Sequence, residues 1–253
     1  MSSQKVITFA NQKGGVGKST ISALVAQFLS RRNVKTLLIS VDSQSNSPSW
    51  LGIKNNQGKE FADLVIQDLE IEDVVHPVNE YLDVIPNSIR GNTAELILAG
   101  MSNRELLLKR KLKKTDYEIV ILDVAPSIAL GTANAILAST HIFLVSLLEE
   151  ASLRGLATIS SKINELKENE LPVADITGII LNRTNISLRS GHGKMCMQMV
   201  ERNYNGLVLD NYLLQNIDLT NACARGEFLE DYNPQSKAID NATSLTNEIL
   251  ERL

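Results

Sequence analysis

Within the first thirty residues the chain passes from a strand to a helix through a glycine-rich turn. Val6-Ile7-Thr8-Phe9-Ala10 is a short apolar, β-prone run. Lys13-Gly14-Gly15-Val16-Gly17-Lys18-Ser19-Thr20 follows. Apolar residues then recur at helical spacing at Ile21, Leu24, Val25, Phe28 and Leu29. A glycine cluster in that position has the context of a phosphate loop. The glycines let successive backbone N–H groups turn toward one point and form an anion nest. The helix that begins there adds its free N–H groups and the positive end of its dipole. Lys18 can reach the β- and γ-phosphates of a nucleotide, and the Ser19 hydroxyl can ligate Mg²⁺.

The rest of the chain repeats the alternation. Continuous apolar runs occupy 36–41, 82–85, 119–122, 142–147, 176–181 and 207–209, and helical patterns occupy 94–114, 153–167, 194–204 and 238–253. Strands alternating with helices imply parallel βαβ units. Runs that are apolar throughout fit strands buried on both faces. The expected fold is α/β: a three-layer P-loop NTPase architecture, with a mostly parallel central sheet and helices on both faces. Residues 1–253 are expected to form a single domain, since no repeat, low-complexity tract or Pro/Gly/Ser-rich linker divides them, and no helix-turn-helix module precedes the first strand. The polar stretch 54–59 reads as a surface loop. Aromatic residues are only 4% of the chain, so the core must be built from Ile, Leu, Val and Ala.

Composition excludes several classes. With 43% apolar residues and a net charge of −4, the chain is not disordered. No apolar run reaches the ~18 residues of a membrane helix. The N-terminus lacks the pattern of a signal peptide. Two cysteines, Cys196 and Cys223, cannot make a disulfide framework, which points to a reducing cytoplasm. They are 27 residues apart in the sequence and form no C-x-x-C pair. His76, His141 and His192 show no metal-ligand spacing.

The loop departs from the strict G-x-x-x-x-G-K-[ST] pattern. Gln12 stands at the first glycine position, and an extra lysine, Lys13, precedes Lys18 by five residues. This resembles the deviant Walker A motif, K-G-G-x-G-K-[ST], of the ParA/MinD family of P-loop ATPases. The resemblance implies an ATPase with ATP and Mg²⁺ as cofactors and Lys13, Gly14, Gly15, Val16, Gly17, Lys18, Ser19 and Thr20 around the nucleotide. It also implies that Lys13 reaches across a dimer interface to the nucleotide of the other subunit.

Two carboxylates stand at predicted strand ends, where α/β sheets bind ligands. Asp42, in Ser40-Val41-Asp42-Ser43-Gln44, resembles the second Asp of the family's D-x-D-P-Q-G-N, which positions the attacking water; Ser40 and Ser43 depart from that pattern. Asp123, in Asp123-Val124-Ala125-Pro126-Ser127, resembles the Walker B element D-T-P-P-S, which holds Mg²⁺ together with Ser19. Asn182-Arg183 resembles the family's adenine-pocket pair, whose Asn amide meets the base edge. The segments 214–219 and 231–236 resemble the tail shared most closely with chromosomal and plasmid ParA proteins.

Within the family, the final residues 246–253 carry two acids and one base, which does not match the basic membrane helix of the MinD branch. The DNA-partitioning branch binds DNA without sequence preference. The best candidate patch is 182–206, with Arg183, Arg189, Lys194 and Arg202 against Glu201. The following 207–236 is acidic, and Asp218 stands where close relatives carry a DNA-binding arginine. A second basic run, 109–114, fits the C-terminal end of a helix. Trp50, the one tryptophan, fits a core or interface position. The resemblance therefore implies a cytoplasmic ATPase that forms an ATP-dependent homodimer on non-specific DNA and is stimulated by a ParB-like partner. The same ATPase could position a protein cargo, or could be a nucleotide-gated binding module with little hydrolysis.

Overall fold

A computed structural model describes residues 4–44, 46–53, 58–101, 104–127 and 129–253. Seven strands among them form one sheet: β1 (Lys5–Ala10), β2 (Thr36–Ser40), β3 (His76–Asn79), β4 (Leu82–Ile85), β5 (Ile119–Asp123), β6 (His141–Ser146) and β7 (Ile176–Leu181). Their order is β3-β4-β2-β5-β1-β6-β7, parallel throughout except for the antiparallel edge strand β3. The chain leaves β1 toward β2 on one side and later returns to β6 on the other. That reversal opens a crevice beyond the C-terminal ends of the central strands.

The helices are α1 (Lys18–Ser30), α2 (Asn46–Ser49), α3 (Phe61–Ile66), α4 (Arg90–Ala99), α5 (Leu107–Leu112), α6 (Leu130–Ala138), α7 (Glu150–Glu168), α8 (Thr184–Ser187), α9 (Gly191–Asn203), α10 (Ile217–Arg225), α11 (Leu229–Tyr232) and α12 (Lys237–Glu251). Alternate residues of β1 serve opposite layers, as the period of two requires. Val6 and Ala10 pack with α6, α7 and α9 through Ile136, Leu156, Ile159 and Val200. Ile7 and Phe9 pack with α1 and α12 through Leu24, Phe28, Leu245 and Ile249. Covering both faces explains why the central strands read as continuous apolar runs.

Three elements differ from the sequence expectation. The helix expected over 94–114 is two helices. Gly100 caps α4, and the Asn134 amide holds the break by donating to Arg104 O (2.8 Å) while its oxygen accepts from Leu108 N (3.2 Å). β3 was not foreseen, because Pro77 interrupts the pattern and only an edge strand tolerates a proline. Segment 207–209 is not a seventh parallel strand but a single bridge from Val208 to Ile179. It ends there because the next two N–H groups, of Asp210 and Asn211, donate to Glu248 of α12 (2.8 and 2.7 Å) instead of to β7. Of the expected loop 54–59, residues 54–57 lie outside the described residues, while Gly58 and Lys59 are exposed. The basic run 109–114 is structural: Lys109, Arg110 and Lys111 occupy the last turn of α5, Lys111 pairs with Asp68 (2.8 Å) and Lys114 with Glu70 (2.6 Å).

Glu248 is buried and also pairs with Arg252 (3.0 Å). Burial pushes its carboxyl up, but the N–H groups of Asn211 and Asp210, the Asn211 amide and the Arg252 charge together hold it below the usual carboxylate range. Glu248→Ala should therefore strand two backbone donors and lower the unfolding free energy by about 3 kcal/mol in urea denaturation.

Candidate nucleotide and metal site

The phosphate loop bridges the end of β1 and the start of α1. Gly15 (φ 75°) and Gly17 (φ 104°) adopt left-handed backbone that only glycine enters freely. At Gly17 a Cβ would also lie 2.0 Å from the Asn182 amide nitrogen. The loop is anchored from below. Val16 is fully buried, and its carbonyl accepts from Asn182 Nδ2 (2.8 Å). Asn11 clamps the loop's entry: its amide nitrogen donates to Val145 O (2.7 Å), and its oxygen accepts from Lys13 N (2.8 Å). Gly155 of α7 makes room for this clamp, since a Cβ there would meet Asn11 Oδ1 at 2.1 Å.

A cleft of about 430 Å³ opens over the loop. It is lined by Gly14, Gly15, Gly17, Lys18, Ser19, Thr20, Asp42, Gln44, Trp50 and Arg183, among others. Lys18 is buried and donates to Lys13 O (3.3 Å). Burial pulls its ammonium below the ordinary lysine value, and the Asp123 and Asp42 carboxylates oppose that shift. Asp42 reaches the cleft from the end of β2, and its Oδ1 accepts from Gln44 N (2.9 Å). Ser40, in place of an acid, donates its hydroxyl to Asp42 O (3.1 Å) and so supports the same turn.

Asp123 is the fixed point of the site. Its side chain is fully buried at the end of β5. Oδ1 accepts from Ser19 Oγ (3.1 Å) and Oδ2 from Ser47 Oγ (2.6 Å). Its backbone carbonyl accepts from Val41 N (2.8 Å) and Asp42 N (3.3 Å). Burial pushes the Asp123 carboxyl up to about 6, against the pull of the two serine hydroxyls; the Asp42 charge adds to the rise and the Lys18 charge opposes it. A buried carboxylate beside a serine hydroxyl at the mouth of an anion nest is an all-oxygen donor set, which suits a hard divalent cation. Ser19 and Asp123 therefore fit Mg²⁺ beside a nucleotide phosphate.

Other expected residues sit elsewhere. Lys13 does not line the cleft; its ammonium forms an ion pair with Glu149, at the start of α7. The Asn182 side chain, expected at the adenine edge, is 4% exposed, and its Nδ2 donates to Val16 O beneath the loop. Arg183 is exposed at the cleft mouth. Arg189, in the turn between α8 and α9, and Lys194 and Arg202 on α9 are exposed, and none of these four cations forms an ion pair among the described residues. Asp218 does not project as a free acid: Oδ2 accepts from Ser236 Oγ (2.6 Å) and Asn233 Nδ2 (3.2 Å). Cys196 and Cys223 are free thiols raised above the ordinary value by burial, Cys223 to about 11, so neither is an activated nucleophile. Ser47, Asn11, Glu149 and Gly155 were not found from sequence. Only Gly155, a glycine inside a helical pattern, carried a local signal.

Residues 4–175 match the family described as an AAA domain. The chain is 30% identical to sporulation initiation inhibitor protein Soj of Bacillus subtilis (strain 168), covering 97% of this chain and 98% of the relative. The chain belongs to the ParA/Soj family of P-loop ATPases. It is also 29% identical to chromosome partitioning protein ParA of Myxococcus xanthus (strain DK1622), over 98% of this chain and 88% of that protein. Among solved structures, cobyrinic acid a,c-diamide synthase from Mycobacterium smegmatis with bound ATP analog and magnesium superposes with a TM-score of 0.77 at 25% identity, covering 90% of this chain and 93% of that one. As a ParA/Soj ATPase the chain uses ATP and Mg²⁺, in agreement with the oxygen donors at Ser19 and Asp123. No helix among the described residues is long and apolar enough to cross a membrane.

The raised Asp123 value has a measurable consequence for the metal-free protein. Relative to the ordinary value of 3.8, a carboxyl lifted to about 6 contributes stability that is full below about pH 4 and is lost as pH rises through about 6. Asp123→Asn should therefore unfold at higher urea than wild type above pH 6, by on the order of 2–3 kcal/mol, with the gap closing toward pH 4.

Proposed function

We propose that this ATPase is a DNA-partitioning motor in which two copies close face to face over two ATP molecules, bind DNA without sequence preference and reopen when a ParB-like partner stimulates hydrolysis. The observation that carries this reading is the placement of Lys13. It belongs to the phosphate loop, yet its ammonium lies outside its own cleft on the surface beside Glu149. A lysine turned outward from one site is placed to enter a facing one. On closure, Glu149 would release it, and it would join Lys18 in offsetting charge that develops on the transferring phosphate. Asp42, at the cleft wall, would orient the attacking water.

The DNA part is supported by Arg189, Lys194 and Arg202. They are exposed cations with no internal ion-pair partner among the described residues, and Lys194 and Arg202 lie about 12 Å apart along α9. The Asp218 carboxylate keeps its charge, but its hydrogen bonds from Ser236 and Asn233 hold it against the 233–236 segment. The patch needs no base contacts; phosphate neutralisation alone gives affinity that falls steeply with salt.

Two measurements test this. Asp42→Ala should abolish phosphate release while sedimentation still shows a dimer in ATP; normal turnover would contradict the role of Asp42. The triple variant Arg189→Ala, Lys194→Ala, Arg202→Ala should lower ATP-dependent binding to random-sequence DNA at least tenfold at low salt. It should also flatten the plot of log affinity against log salt, by ~0.9 for each phosphate no longer neutralised. An unchanged slope would place the DNA surface elsewhere.

A further inference from the structure

We propose that Ser47 is a positioning residue that reports metal occupancy at Asp123 to the loop carrying Asp42. The proposal rests on the assignment of Ser19 and Asp123 as the Mg²⁺ site. Both oxygens of a fully buried carboxylate are engaged by hydroxyls, one from each side of the cleft. Ser19 comes from α1, which the phosphate loop starts, and Ser47 from α2, which follows the Asp42 turn. Ser47 is itself fully buried, and its bond to Oδ2 is the shorter of the two, at 2.6 Å against 3.1 Å. A short hydrogen bond to a buried carboxylate is a strong one.

The two hydroxyls differ in what they can do when a cation is bound. Ser19 can give a lone pair to the cation and still donate its proton to Asp123 Oδ1. Ser47 lies outside the cleft lining, so its hydroxyl serves Asp123 alone. Mg²⁺ keeps several of its waters, and those waters need carboxylate oxygens as acceptors. Oδ2 is buried and already accepts from Ser47, so a metal-bound water that takes Oδ2 competes with the Ser47 hydroxyl and weakens its bond. As that bond weakens, the tie between α2 and the end of β5 loosens, and the turn 42–44, which leads into α2, is left to the bonds from Ser40, Gln44 and the Asp123 carbonyl. The metal-free state thus holds α2 and the turn before it more tightly than the metal-bound state does.

The chain contains a built-in reporter. Trp50 is the only tryptophan, its backbone N–H donates to Asn46 O (3.2 Å) at the start of α2, and it lines the nucleotide cleft. Its emission therefore reads both the end of α2 and the cleft, and the part that depends on Ser47 is the part carried by α2.

The experiment titrates Mg²⁺ into full-length protein with ATP at pH 8, where Asp123 is ionised, and reads Trp50 fluorescence; ATP affinity in EDTA is measured separately with a fluorescent ATP analogue. Wild type should show a saturable change in Trp50 emission. Ser47→Ala should bind the ATP analogue in EDTA as wild type does, reach half-saturation at an at least threefold lower Mg²⁺ concentration, and lose most of the emission change. Half-saturation and amplitude equal to wild type would overturn the role of Ser47 alone. Loss of ATP affinity in EDTA would also overturn it, by making Ser47 a support of the site's fold. A wild-type protein whose nucleotide affinity and Trp50 emission ignore Mg²⁺ would instead overturn the metal assignment on which the proposal rests.

Discussion

A carboxylate held out of water where three strands end is the interaction on which the site depends. Asp123 closes β5 between β1 and β2, and the surrounding parts of the cleft are tied to it. Ser19 joins it to the phosphate loop, Ser47 joins it to α2, and its backbone carbonyl fixes the end of β2 just before the Asp42 side chain. Burying an ionisable group in this way costs stability unless its lone pairs are satisfied. The two serines offset part of that cost in the metal-free protein. The same arrangement holds a position ready for a cation that can replace hydroxyl hydrogen bonds with stronger interactions.

The sheet makes this possible. β1, β5 and β2 are parallel and buried on both faces, so their C-terminal ends are brought into register at one crevice: Phe9 pairs with Asp123, and Asp123 with Ser40. The phosphate loop, Asp123 and the Asp42 turn all leave from that line. Asn11 and Asn182 then set the loop's height from opposite sides. One spans to Val145 of β6, the other rises from the end of β7 to Val16.

Much of this could be read in the sequence. The strand–glycine–helix order placed the phosphate loop, and continuous apolar runs placed the six parallel strands of the sheet, because both are local patterns. Lys18, Ser19, Asp42 and Asp123 were legible for the same reason: each adjoins an element whose pattern is strong. What was illegible depends on tertiary contact. Ser47 is an ordinary serine until α2 folds it onto Asp123, 76 residues away. The split of the 94–114 helix depends on Asn134, which arrives from α6. Asp218 looked like a misplaced surface charge because Ser236 and Asn233, its partners, are separated from it by another helix. Overall charge was the least informative quantity, since it averaged the exposed cations Arg189, Lys194 and Arg202 with acids of the next segment, of which Glu230 and Asp231 pair with Arg31.

The proposed face-to-face dimer stands or falls on Lys13. This lysine belongs to the motif that defines the family, yet in the single chain it serves Glu149 and not a nucleotide. The most direct measurement mixes two inactive variants, Lys13→Ala and Lys18→Ala, and follows phosphate release. A mixed dimer has one site with Lys18 in place and Lys13 supplied by the other chain. The mixture should regain turnover that neither variant shows alone. If the mixture stays as inactive as its components, Lys13 acts within its own chain and the face-to-face ATP dimer is contradicted.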